Sequence, residues 1–402
     1  MIVVTSLLCF ATLTISVPGR VETGLFQGGC FLASSAMVAR KLMRRQLPLV
    51  TITPLLLCVP VLLGTLQLLA GRTVNPAATS ENLLQWAAFA SLALAASGMI
   101  RTEKERTRML VAASGFGCAI AAACLLQPYI AGLPDLDKMA GPFQNRNTYA
   151  SFVELLLPVV AWVAVHDERK TWLWWIGAAA MVASVVASGS RSGAAFVAAE
   201  SILVLILFTR KNLAKTGAIA GILLLAIVLA GWDRLAPRLA GAEFWEYRAE
   251  IYASALNMIG ERPLTGVGLG AFQSAYPRFA TFDAGRYVNH AHNDWLEWTA
   301  EGGLAMPVAL AAIWGIAISR SRRHPWALGI HFVFLHALVD YPMQRAGMAA
   351  WVWVFATILT DSLPQPHRTP AAATESPLPG NGPEPSACSP SPGICPGPSR
   401  RR

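Results

Sequence analysis

Long apolar runs separated by short polar breaks set the pattern of this chain. In order, the runs fall at residues 3–18, 24–39, 47–70, 83–100, 109–131, 148–165, 171–187, 194–209, 214–231, 296–319, 325–340 and 345–360. Each is close to the roughly 17–25 residues that carry a helix across a hydrocarbon core. A single segment can satisfy its own backbone in lipid only as a helix. The pattern predicts an all-α, polytopic integral membrane protein of about 12 transmembrane helices. Residues 1–17 lack the basic n-region of a signal peptide, so the first run is read as a span.

One polar break is much longer than the rest, from about 232 to 295. Within it Glu246, Arg248 and Glu250 open an amphipathic helix whose apolar positions are expected at Tyr252, Leu256 and Ile259, ending near Gly260. A glycine-rich stretch, PLTGVGLG over 263–270, follows. Its G-x-G-x-G spacing is not the dinucleotide-binding pattern, and no βαβ unit surrounds it. It reads as a tight turn or as a backbone-amide surface near an anion. From 362 onward the chain is rich in Pro, Ser and Gly and reads as a disordered tail. The organisation expected is therefore N-terminal membrane helices at 1–131, a core at 132–361 that includes the loop 232–295, and the tail at 362–402.

Composition agrees with the membrane reading: mean hydropathy is +0.46 and 14% of residues are charged, against about 25% in soluble domains. The distribution of charge adds an orientation. Sixteen Lys and Arg residues lie in alternate short breaks, at 40–45, 101–108, 169–170, 210–215 and 320–323, against six (Arg20, Arg72, Lys138, Arg146, Arg191, Arg345) in the others. By the positive-inside rule both termini are cytoplasmic, and the loop 232–295 faces outward with the shorter segments 132–147, 188–193 and 341–346. Most of the net charge of +9 belongs to this bias, so nucleic acid is not the expected partner. Five of the seven cysteines sit in apolar runs and none forms a CxxC pair, which suits neither a metal site nor a disulfide framework.

The outward segments hold the reactive side chains. GPFQNRN (141–147) leads into a span, with Asn147 as candidate N-cap, Arg146 at the helix mouth, and Glu154 as an intramembrane carboxylate that faces a cavity or pairs with an arginine. SGSRSG (188–193) surrounds Arg191 with small residues; a guanidinium so placed is either a phosphate donor or an interfacial snorkelling group. HAHND (290–294) supplies His290, His292 and Asn293. One H-x-H offers two metal ligands at most, so a general base or orienting donor is the preferred reading, with helix capping as the structural alternative. Asp340, in HALVDYP (336–342), either pairs with an arginine from another segment or meets water at a helix end. Together these groups suit an anionic, lipid-anchored substrate at the membrane surface.

The same motifs, in this order, resemble the O-antigen ligase/polymerase superfamily: GPFQNRNTYASF (141–152), SGSRSGA (188–194), RAEIYASALNMIGERPLTGVGLGAF (248–272), HAHNDWLEWTAEGG (290–303) and HALVDYP (336–342). The resemblance implies a GT-C-like fold in the bacterial inner membrane. It implies transfer or polymerisation of a glycan from undecaprenyl diphosphate onto a glycan or lipid acceptor at the periplasmic face, among membrane lipids and with no cofactor or metal. Carried onto this chain, Arg191 and Arg248 hold the diphosphate, and His292, with His290 beside it, activates or orients the acceptor. Arg146, Asn147, Asn293 and Asp340 are the expected substrate-binding residues. Lipid A–core ligases, repeat-unit polymerases and protein O-oligosaccharyltransferases share this core, and a membrane transporter of a small solute is the reading from another class.

Overall fold

A computed structural model of the chain describes residues 1–14, 19–47, 50–129, 141–143, 145–209, 212–229, 243–282, 285 and 287–361. The expected tail lies outside these residues. Fifteen α-helices and no strand occur among the described residues. They are α1 (Ile2–Leu13), α2 (Arg20–Met43), α3 (Ile52–Leu69), α4 (Pro76–Met99), α5 (Glu103–Leu126), α6 (Arg146–His166), α7 (Thr171–Ser188) and α8 (Arg191–Thr209). Then come α9 (Leu213–Leu229), α10 (Glu243–Glu261), α11 (Phe272–Phe279), α12 (Asp294–Gly302), α13 (Ala305–Ser321), α14 (Leu328–His336) and α15 (Ala346–Thr360). Five stretches are long and apolar enough to cross a membrane: α3, α5 with its 3-10 extension, α6, α7 and α8. Five more are apolar but shorter, including α13 and α15. These helices make the protein an integral membrane protein.

The centre of the bundle is α6, which packs against α5, α7, α8 and α14. Sixteen of its 21 residues are buried, so it is apolar nearly all round, as a helix enclosed by other helices must be. Its start corrects one expectation: the N-cap is Asn145, whose side chain accepts from the Asn147 amide at 2.8 Å. Asn147 lies one position inside the helix, and its side chain is thereby released to reach across the site.

The run at 296–319 divides into two helices. The helix α12 ends at Gly302, and Gly303 takes φ +68° before α13 begins. A side chain at Gly303 would sit 2.3 Å from the Leu264 carbonyl oxygen, and one at Gly266, also at positive φ, 2.1 Å from that of Glu301. The glycine stretch therefore packs backbone to backbone on this break. Val267 donates to Ala300 at 2.8 Å and Leu304 to Pro263 at 2.9 Å. The Phe272 amide donates to the Glu301 carboxyl group at 3.1 Å, so the acceptor beside these amides is one of the protein's own. Burial, with Glu297's charge, pushes Glu301 up to about 8 against the pull of the Gly270 and Phe272 amides.

Two glycines in this region give opposed predictions. Gly266→Ala is expected to destabilise by more than about 2 kcal/mol, from the left-handed backbone and the clash together. Gly260→Ala, inside α10 with open space where its Cβ would stand, is expected to stabilise by about 0.5–1 kcal/mol. Thermal unfolding of the two variants in one detergent checks both signs.

The described part of the long insert, 243–282 and 287–295, is largely helical. Helices α10, α11 and α12 share a separate apolar cluster that includes Ile251, Ala255, Met258, Val267, Phe272, Val288 and Ala291. The buried stripe of α10 is Arg248, Ile251, Ala255 and Met258, while Leu256 is 56% exposed. This moves the stripe by one position from the expected Tyr252, Leu256 and Ile259.

Basic residues collect at the far end of the bundle. Burial lifts Asp361 up to about 6, opposed by nearby Thr51 and by Arg101, Arg106 and Arg320. Burial and the neighbouring Arg106 hold His324 below its usual value. Since α15 rises roughly 22 Å over its 15 residues, this end is well separated from the polar end where α15 starts at Ala346.

Candidate functional site

Described parts of the four segments expected to face outward come together near the N-terminal ends of α6, α8 and α12, and Asp340 lies among them, 2% exposed. Its carboxylate accepts from the Asn147 side-chain amide, accepts from the Tyr341 amide at 3.0 Å, and stands 3.4 Å from His292 Nδ1. Burial alone would raise its pKa. The close approach of His292 and the charges of His336 and Arg248 outweigh burial, and the carboxyl is held below its ordinary value. Asp340 is therefore a fixed anion at neutral pH, and its stabilising contacts would be lost only as pH falls through that depressed value. Of the two expectations for this residue, contact with water fails; Asn147, Tyr341 and His292 surround the carboxylate, and Arg248 acts on it as a charge.

Arg248 comes to the same point from α10. It is 3% exposed and donates to the Val339 carbonyl. Burial lowers its pKa and Asp340 raises it again; a guanidinium stays cationic throughout. Arg191, the first residue of α8, lies within the electrostatic range of Arg248. Arg248 thus stands in electrostatic range of both the Asp340 carboxylate and the Arg191 guanidinium. Arg146 opens α6 beside Asn145 and Asn147.

The histidines turn to different carboxylates. His290 Nδ1 is 2.8 Å from Glu297 Oε1, and the other oxygen of Glu297 accepts from the Ala291 amide at 2.7 Å. His292 takes φ +54°, uncommon outside glycine, and its carbonyl accepts from the Tyr252 hydroxyl at 2.9 Å. That backbone turn aims the ring at Asp340. Both rings border Tyr341, His290 stacked with centroids 4.4 Å apart and His292 edge-on at 4.9 Å. Neither caps the following helix. The cap is Asn293, whose side chain accepts from the Leu296 amide at 3.1 Å and donates to the Leu338 carbonyl at 2.8 Å.

A hydrogen-bonded ring around Arg191 and Asp340 was not foreseen. Asn147 Oδ1 accepts from Ser190 Oγ at 2.7 Å. On the other side of Arg191, Ser192 Oγ lies 3.0 Å from His336 Nε2. The backbone carbonyl of His336 accepts from the Asp340 amide at 3.0 Å, and Asp340 returns to Asn147. Below the ring His336 Nδ1 meets Glu154 Oε1 at 2.9 Å, both residues fully buried. Glu154 thus pairs with a histidine and not with an arginine. The serines flanking Arg191 and the histidine four residues before Asp340 were the available signals. Their pairing needs α6, α8 and α14 in contact, which no local pattern states.

Residues 176–313 match the family model described as O-antigen ligase. The matched segment runs from within α7 to within α13 and takes in Arg191, Arg248, His290, His292 and Asn293. It leaves out Arg146, Asn147, Glu154 and Asp340, which the fold brings to the same place. The chain is similar to the O-antigen ligase/polymerase superfamily, a likeness that supports a glycosyl-transferring membrane enzyme in general terms. No curated protein matches the chain.

Proposed function

From the likeness to O-antigen ligases we propose that this protein moves a glycan from an undecaprenyl-diphosphate carrier onto an acceptor hydroxyl at the periplasmic face of the inner membrane, with both termini in the cytoplasm. The observation that carries the reading is the meeting of Arg191, Arg248, His292 and Asp340 at one end of an apolar bundle. A lipid-linked diphosphate needs such a junction of cations and apolar helices.

In the proposed reaction the acceptor oxygen bonds to the anomeric carbon as that carbon's bond to the diphosphate breaks. Undecaprenyl diphosphate leaves with the electron pair. Arg191 and Arg248 stabilise the charge that grows on it, as preorganised donors do at other developing anions. His292 receives or orients the proton of the acceptor hydroxyl, and Asp340, facing its Nδ1, favours the imidazolium that results. Arg146 extends the positive mouth at α6. The side chains of Asn147, Asn293 and Asp340 are engaged with the protein itself, which suits them to holding the site in shape.

His292→Ala is expected to abolish transfer while the protein remains in the membrane. His292→Gln, which keeps a polar group but no base, separates orientation from proton transfer. The reading as a whole is tested by mass spectrometry of undecaprenyl-diphosphate-linked glycans in a strain lacking this chain, against the complemented strain. Accumulated long glycan assigns ligation, accumulated single repeat units assign polymerisation, and an unchanged pool refutes both.

A further inference from the structure

At the end of the bundle away from the glycan site, the last turn of α2, the start of α1, the end of α4 and the first turns of α5 enclose a cavity of about 630 Å3. Four basic side chains line it: Arg40, Lys41, Arg44 and Arg108. Arg40 and Arg44 are one helical turn apart and so share a face. Among the described residues none of the four is in a salt bridge. The one acid in the lining, Glu105, is committed elsewhere: its Oε2 accepts from the Arg101 amide at 3.1 Å, the Thr102 amide at 3.0 Å and the Thr102 hydroxyl at 2.9 Å. It closes the capping box of α5 and sets one negative charge against the four basic side chains.

Most of the remaining wall is apolar, with Val3, Met37 and Met99 among its residues, beside Gln46 and the N-terminal Met1. Next to it Ile2, Leu42 and Met43 are 73%, 55% and 78% exposed, as expected of side chains that meet lipid tails. A positive recess opening beside such a surface suits an ion with an attached hydrocarbon. Basic pockets between membrane helices hold phosphate-bearing head groups on these terms.

The geometry points to this cavity as a binding site for a phosphate-bearing anion, the head group of an acidic phospholipid, which bridges α2 and α5. The inference is independent of the glycan reading, since it concerns the opposite end of the molecule and needs no transfer activity.

The test uses the full chain, purified and placed in nanodiscs of phosphatidylcholine alone or with phosphatidylglycerol, and read by native mass spectrometry and thermal melting. Retained phosphatidylglycerol and a higher melting temperature in its presence are expected. Arg44→Gln/Arg108→Gln should weaken retention by at least about tenfold, Arg44→Lys/Arg108→Lys should keep it, and Arg322→Gln/Arg323→Gln, at the same end but outside the cavity lining, should behave as wild type. These residues are exposed, so the variants are expected to fold, and melting in phosphatidylcholine alone verifies this. Equal stabilisation by inorganic phosphate would keep the anion site and assign it to free phosphate. Equal behaviour in the two lipids, or equal losses in the Arg44/Arg108 and Arg322/Arg323 pairs, would overturn the inference.

Discussion

Arg248→Ala is expected to lower kcat for glycan transfer by about 10²–10³-fold, the range found when one preorganised donor to a developing anion is removed. The size follows from where the guanidinium sits. It is 3% exposed, fixed on the Val339 carbonyl, and next to Arg191 and Asp340. A cation held in place before the reaction needs no reorganisation when the carrier diphosphate gains charge. An exposed one is screened and contributes little. The loss should fall on kcat more than on KM, because the charge it meets is greatest in the transition state. Arg248→Lys should recover only part of the rate, since an ammonium cannot donate in a planar fork. Adding Arg191→Ala should cost less than the product of the single effects, because the two guanidiniums act on one group. Single-turnover kinetics with lipid-linked donor, alongside melting temperatures, separate catalysis from folding. A folded Arg248→Ala protein with wild-type kcat would remove the residue from the proposed site.

How far the sequence could be read depended on whether the controlling interaction was local. The apolar runs predicted where helices lie, because a lipid-facing or enclosed helix must be apolar over its length; the run at 171–187 became α7 at Thr171–Ser188. The break at Gly303 was not legible, because an apolar run with two glycines reads the same whether or not the PLTGVGLG backbone presses against it. The stripe of α10 was missed by one position for a related reason. Its buried face is set by α12 and by the insert's own small core, and Arg248 occupies a position on that face where an apolar residue would be expected. The motifs around Arg191, His292 and Asp340 were visible as polar residues in an apolar chain. Asn147 looked like a cap because Asn residues adjoin a helix start, and only the fold shows that Asn145 takes that task. The pairing of Glu154 with His336 spans 182 positions and had no sequence signature beyond the oddity of each residue in its run.

That pairing carries the second large expectation. His336→Ala leaves Glu154, fully buried in α6, without its imidazole partner, and removing one member of a buried pair costs about 3–5 kcal/mol. It also takes Nε2, the partner of the Ser192 hydroxyl, from beside Arg191. Stability and positioning are therefore lost together in the single variant, and a double variant separates them. Glu154→Leu with His336→Leu removes both polar groups, and apolar replacement of a whole buried pair is often neutral or stabilising, so the melting temperature should return towards wild type. Transfer should not return with it, because Ser192 still lacks its partner and the Ser190–Asn147 bond alone is left to hold the turn that carries Arg191 in the proposed site. Glu154→Gln is the milder probe: an amide can still bond His336 Nδ1, so it should retain more transfer than His336→Ala at comparable stability. Recovery of transfer in step with melting temperature in the double variant would show that the pair serves packing alone. A stable protein whose kcat stays low would place His336 as the link between the bundle interior and the arginine turn.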